Sequence, residues 1–145
     1  MAIKVKPITL WRREVENKPG ALAATLEPLA RAGADLRVVM GYREPGGENL
    51  SALELYPVSG KKAAAAAGAA GLAASAIPTL LVEGDNKPGL GHAIARAIAG
   101  AGININFVVA QTVGRRFSAV FGFETQADAR TAAALIRKAK PAAKK

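Results

Sequence analysis

The 145-residue chain has no cysteine and a single histidine, His92. The first absence removes disulfides, thiolate metal sites and thiol nucleophiles together, and the second leaves one imidazole as ligand or base. Metal and triad chemistry therefore have almost no material to work with. Acidic residues are scarce too, 11 against 20 Lys and Arg, for a net charge of +9. An excess of that sign fits a polyanion or an anionic membrane, provided it lies on the folded body. It does not. Lys4 and Lys6 stand at one end, Arg137, Lys138, Lys140, Lys144 and Lys145 at the other, and positions 7 to 136 hold 13 basic against 11 acidic residues.

Long apolar runs are also missing. No stretch of signal-peptide length precedes Arg12, and the short one present contains Pro7, so secretion is not expected. Ala63 to Val82 is uncharged for 20 residues, the length of a membrane span. It is mostly Ala with Gly68, Gly71, Ser75 and Pro78 inside it, whereas only Leu, Ile, Phe and Val clearly favour the bilayer. An Ala-rich helix running into a strand is the expected structure, with no membrane partner and a cytoplasmic location. Half of the residues are apolar, too many for a disordered chain and enough for one or two small domains.

What the chain does have is an internal repeat. Glu16-Asn17-Lys18-Pro19-Gly20 returns as Asp85-Asn86-Lys87-Pro88-Gly89, 69 residues later. Each copy follows a strand-like run, Ile8 to Val15 and Thr79 to Glu83. Each opens a helical pattern, Leu22, Leu26 and Leu29 in one and Leu90, Ile94 and Ile98 in the other. Ala32-Gly33 and Ala101-Gly102 then mark helix ends, where glycine takes the left-handed cap. β-rich runs follow at Asp35 to Arg43 and Asn104 to Val113. After turns at Glu44 to Asn49 and Gly114 to Arg116 come return strands, Leu50 to Val58 and Phe117 to Glu124, and Ala-rich helices, Lys61 to Ser75 and Gln126 to Ala139.

Each copy reads strand, helix, strand, strand, helix. This predicts an α+β fold of two tandem ferredoxin-like βαββα units, each an antiparallel sheet with helices on one face. The expected domains are residues 1–76 and 77–139, with a basic, disordered tail at 140–145. Between the first Ala-rich helix and the second loop there is room for one strand only, so a fourth strand is missing from the pattern. Open edges tend to be paired, which predicts that the two sheets join within the chain or across a homodimer.

The repeated loop leads from a strand into a helix N-terminus, where unpaired N–H groups and the helix dipole favour an anion. Glycine permits close approach to the backbone, and proline fixes the loop without losing a needed N–H. Asn17 and Asn86 add side chains with both donors and an acceptor, suited to a zwitterion. The plainer reading makes each Asn a helix cap and Pro-Gly a tight turn.

Asn-Lys-Pro-Gly after a strand, an amphipathic helix, and Ala-Gly-Ile-Asn-Ile into the next strand resemble the ACT domain, a small amino-acid-binding regulatory module. The resemblance spans nearly the whole chain as two tandem copies. It implies an allosteric regulator or sensor without catalytic residues or cofactor. It further implies an amino acid or similar zwitterion held at a domain interface, and a regulated enzyme as partner. Carried over by position, the ligand-binding residues are Asn17, Gly20 and Asp35 in the first copy and Asn86, Gly89 and Asn104 in the second. The serine-binding version has a His two residues before the loop Asn; Val15 and Gly84 stand there, so serine itself is not implied. Asp35 offers a carboxylate to a ligand ammonium where Asn104 offers only hydrogen bonds, which predicts two unequal sites.

Other motifs carry less. Gly89-Leu90-Gly91 lacks the third glycine of a dinucleotide loop, where Ile94 stands, and no acid follows for a ribose. His92 falls in the first turn of the second copy's helix, within reach of a loop ligand. Phe117, Ala119, Phe121 and Phe123 share a strand face, as in RNA-recognition modules that stack bases, though Arg116-Phe117-Ser118 lacks the glycine of that motif. Period-2 alternation equally makes them core. An RNA-binding module using this strand and the basic tail is the alternative function; nucleic acid is not the expected partner. Trp11 reads as packing, and Glu14 and Glu16 as solvated acids.

Overall fold

A computed structural model of the chain describes residues 3–46 and 49–141. The strands are β1 (Lys4–Ile8), β2 (Trp11–Glu16), β3 (Val38–Arg43), β4 (Leu50–Tyr56), β5 (Ala73–Ala74), β6 (Thr79–Asp85), β7 (Ile105–Val113) and β8 (Arg116–Phe123). The helices are α1 (Ala21–Arg31), α2 (Gly60–Ala69), α3 (Leu90–Gly100) and α4 (Gln126–Lys138). They form two compact units, Thr9–Ala76 and the described residues up to Ile8 together with those from Ile77 onward. Each holds one antiparallel four-stranded sheet, ordered β3-β4-β2-β5 in the first and β7-β8-β6-β1 in the second.

The two orders are the same once matched through the repeat. β2, β3 and β4 correspond to β6, β7 and β8, and a fourth strand lies beside β2 or β6 in each unit. In the first unit that strand is β5, two residues on Trp11 and Arg12. In the second it is β1, whose Lys4 to Ile8 pair antiparallel with Glu83 to Thr79. The expected run Ile8 to Val15 is thus two strands in two different sheets, broken at Thr9 and Leu10. The N-terminal residues assigned to the first unit lie in the second, because Val5 and Ile8 find cover there.

The sequence left room for a single strand between the first Ala-rich helix and the second loop; the structure fits two. It does so by ending α2 at Ala69 instead of Ser75. Gly71 takes a left-handed φ of 81°, its N–H reaches Gly68 and Leu72 N–H reaches Ala67, turning the chain in time for β5. The uncharged stretch from Ala63 to Val82 is divided among α2, β5 and β6, and among the described residues no helix is long and apolar enough to cross a membrane.

Each unit has its own core under its helices. Leu29, Leu55, Ala67 and Leu72 close the first, with Trp11 packed against them. In the second, Leu90, Ile94 and Ile98 of α3 and Ala129, Ala132 and Ile136 of α4 cover Leu80, Val82, Phe117, Ala119, Phe121 and Phe123. The aromatic strand face is therefore core: Phe123 is fully buried, and none of the three rings is open to a base. Each fully buried Phe, Leu or Ile contributes about 1.5–3 kcal/mol. Of the predicted tail only Lys140 and Pro141 fall within the described residues.

Candidate functional site

The two Asn-Lys-Pro-Gly loops share one backbone geometry. Gly20 and Gly89 are the N-cap residues of α1 and α3, with φ of 88° and 85°. Only glycine holds this left-handed conformation without strain, which accounts for its position in both copies. Neither helix has a side-chain cap. The first helical amides, Ala21 and Leu90, turn back to Lys18 and Lys87 oxygens, while the amides that follow have no capping side chain. An uncapped helix start of this kind favours an anion through its free N–H groups and its dipole.

Asn17 and Asn86 are not the caps. Their side chains instead accept hydrogen bonds from strand hydroxyls, Ser51 Oγ to Asn17 Oδ1 and Thr112 Oγ1 to Asn86 Oδ1, both 3.1 Å. Their backbone amides close the loops onto the neighbouring turns, Asn17 N–H on Asn49 O and Asn86 N–H on Arg115 O. With Oδ1 engaged, each amide nitrogen keeps its two donors for another partner.

Beside the first loop lies an open cavity of about 290 Å³ between the loop, the start of α1 and the end of β3. Asn17, Lys18, Leu22, Tyr42, Arg43 and Ser51 are among its walls. Lys18 pairs with Glu16 at 3.8 Å, both largely exposed. Tyr42, Arg43 and Ser51 were missed by sequence reasoning. The signal lies in the register: Arg43 pairs with Ser51 and Val15 with Ser51, which brings the end of β3 to the loop that follows Val15.

Asp35 is elsewhere in the first unit. It borders a separate cavity of about 450 Å³, with Arg37, Ser59, Lys61 and Lys62. Its exposed carboxylate pairs with Arg37 at 3.1 Å. Asn104 is likewise exposed and donates to Glu124 at 3.5 Å. Within the first unit, then, the loop and Asp35 do not share a cavity. His92 is exposed beside Arg96 and Lys140, at a cavity of about 460 Å³ on α3.

A polar network unforeseen in the sequence lies on the sheet of the first unit. Arg12 ion-pairs with Glu14 at 3.3 Å and with Glu44, and its Nε is 4.0 Å from Glu54. Glu54 is 1% exposed, and among the described residues its Oε1 lacks a hydrogen-bond partner. Burial pushes the Glu54 carboxyl above its usual range, against the opposing pull of the Tyr42 hydroxyl and the Arg12 charge. Burial likewise raises Tyr42, which faces both Glu54 and Arg12. In the second unit the matching ladder positions hold Leu81, Val120 and Gln111. The shared fold does not require the ions.

No family model matches the chain, and no curated protein matches it. Solved structures do. A Bacteroides thetaiotaomicron protein superposes with a TM-score of 0.72 over 92% of this chain and 98% of its own, at 16% identity. The ligand-free regulatory subunit of aspartate kinase from Thermus thermophilus gives 0.63 over 96% and 97%, at 17% identity. A C-terminal regulatory domain assigned to the aspartate kinase of Porphyromonas gingivalis gives 0.54 over 94% and 97%, at 11% identity. In each case the likeness covers most of both units. The chain thus has the fold of two tandem ferredoxin-like, ACT-like units.

Proposed function

We propose that the chain is a regulatory or sensor protein that binds an amino acid or a similar small zwitterion at its Asn-Lys-Pro-Gly loops. The observation that carries this reading is the pair of helix starts with matching backbone conformation at Gly20 and Gly89. In both, a left-handed glycine withholds the side-chain cap and an Asn fixed by a strand hydroxyl turns its amide donors outward. A ligand carboxylate supplies the acceptor that the helix start lacks. Asn17 and Gly20 hold it in the first unit and Asn86 and Gly89 in the second, with Asp35 and Asn104 contributed by a second copy, since within the first unit Asp35 lines a different cavity from the loop. The regulatory subunits of aspartate kinase with a similar fold support an allosteric role with output through a separate partner enzyme; the setting we propose is cytoplasmic.

A thermal-shift screen of the common amino acids tests this. A ligand at 100 times its dissociation constant stabilises by about 2.7 kcal/mol. The expected result is a shift with at least one amino acid that Asn17→Ala or Asn86→Ala reduces. No shift with any of them would leave the loops as turns only.

A further inference from the structure

The two Asn-Lys-Pro-Gly loops have different neighbours. Residues paired across a sheet share a face, and that face recurs every second residue. Arg13, whose guanidinium donates to Thr25 of α1, therefore marks the helix side of the first sheet. Leu53 and Gly41 stand level with it, and two positions further toward the loop come Val15, Ser51 and Arg43. Arg43 is thus on the helix side, in the wall of the 290 Å³ cavity with Asn17 and the start of α1. Gly41, on the same face, adds no side chain to fill that space. Lys18 has Glu16 as its counter-charge, whereas among the described residues no acid pairs with Arg43. In the second unit the matching level holds Gly84, Phe117 and Thr112. There Thr112, on the strand matching β3, supplies the hydroxyl that fixes Asn86. In the first unit that hydroxyl comes from β4 as Ser51, which leaves the β3 position to a guanidinium. Neither the fold nor the fixing of the Asn calls for a cation at Arg43. The second loop is also covered: a Cβ on Gly89 would lie 3.6 Å from Pro141, while one on Gly20 would meet nothing within 4 Å.

Resting on the reading of the loops as amino-acid sites, we propose that the first site selects an amino acid carrying a second acid group on a short side chain, with Arg43 as the residue that sets this preference. The start of α1 answers one carboxylate, as the start of α3 does in the other unit. A planar guanidinium holds a second carboxylate in a bidentate pair. Between these two anchors the cavity walls are apolar, formed by Val15, Ala21, Leu22 and Leu53, which suits a methylene spacer. Its volume of about 290 Å³ lies at the lower end of small-molecule sites, about 300–1,000 Å³, in keeping with a ligand of amino-acid size. A ligand with an amide in place of the second carboxylate would leave Arg43 without a counter-charge.

Titration calorimetry of the full chain with glutamate, glutamine, aspartate and asparagine tests this. One of the two acids should bind at least about 10-fold more tightly than its own amide. Asn17→Ala should remove that binding and Asn86→Ala should not. Arg43 is exposed, so Arg43→Gln should leave the melting curve unchanged. It should erase the preference for the acid by weakening the acid alone, with the affinity for the amide as before. Arg43→Lys, which keeps the charge without the planar fork, should retain part of the preference. Amides that bind as tightly as the acids, in a manner still lost with Asn17→Ala, would overturn the assignment to Arg43 and leave the loop reading standing. A preference for the acid that survives Arg43→Gln, or that is lost with Asn86→Ala instead of Asn17→Ala, would overturn it as well. If no amino acid binds at all, the loop reading fails and this inference fails with it.

Discussion

Gly122 sits opposite Phe107 in the β7–β8 ladder, and the ring of Phe107 lies across it. A Cβ at Gly122 would fall inside the ring edge, overlapping Cε2 and Cδ2 and lying 2.8 Å from Cζ. Gly122→Ala must therefore expel the ring or shift the strand, an overpacking cost of about 1–3 kcal/mol. In a unit of this size each kcal/mol lowers the melting temperature by about 4–8 °C. A cost near 2 kcal/mol would lower it by about 8–16 °C, measured by scanning calorimetry. The cause is testable through the partner. In a Phe107→Ala background the obstruction is gone, and Gly122→Ala should be neutral or stabilise by about 0.4–1 kcal/mol through the stiffer unfolded chain. The double-mutant cycle then yields a coupling of 1 kcal/mol or more. An equal loss in both backgrounds would refute the steric argument and move the cause to the backbone.

Three further outcomes follow from the geometry. Glu54, with its carboxyl raised by burial, binds its proton more tightly in the folded state, so stability falls as pH rises from the ordinary glutamate range through its folded pKa, above which the cost of the charged form is complete. Glu54→Gln should stabilise the first unit at pH 7, and that advantage should shrink as pH falls toward the ordinary glutamate range; urea midpoints across pH 4–8 check this, and a pH-independent difference sinks it. Gly20→Ala and Gly89→Ala each force a left-handed φ on a residue with a Cβ and should cost about 1–2 kcal/mol, read from the melting temperature. Deleting residues up to Ile8 removes buried Val5 and Ile8, worth about 3–6 kcal/mol together. It also strips Arg137 of the Val5 carbonyl it donates to. The second unit should then unfold under conditions where the first remains protected from hydrogen exchange.

The repeat made most of the architecture legible, because duplicated glycines and apolar spacings are local signals. The order of strand, helix, strand, strand and helix and the burial of Phe117, Phe121 and Phe123 follow from such patterns. The fourth strands did not. Ile8 reads as the start of a run to Val15, and only pairing with β6, far along the chain, reveals Lys4 to Ile8 as a strand of the other sheet. β5 is hidden because Ala73 and Ala74 look like more of α2, and the left-handed Gly71 alone marks the break. At the candidate site the loops were visible as motifs, whereas Tyr42, Arg43 and Ser51 reach the first loop only through strand register. Glu54 did leave a trace in sequence, as the one acid in the otherwise apolar run from Leu53 to Leu55. What could not be read was that Arg12 and Tyr42 would stand over it.

The pairing of β1 with β6 makes the first unit an insertion within the second. During synthesis Lys4 to Ile8 emerge first, and their partner follows only after about 70 more residues. At ordinary ribosome speeds that is a wait of about 4–14 s, ample time for the first unit to fold on its own. Lys4, Lys6 and Pro7 then have a second use, keeping the waiting strand from pairing elsewhere. Excising residues 9–76 would leave only Ile77 and Pro78 between Ile8 and Thr79, which face each other in the ladder. That is the length of a two-residue hairpin loop. The second unit, interrupted in the gene, would become a continuous chain.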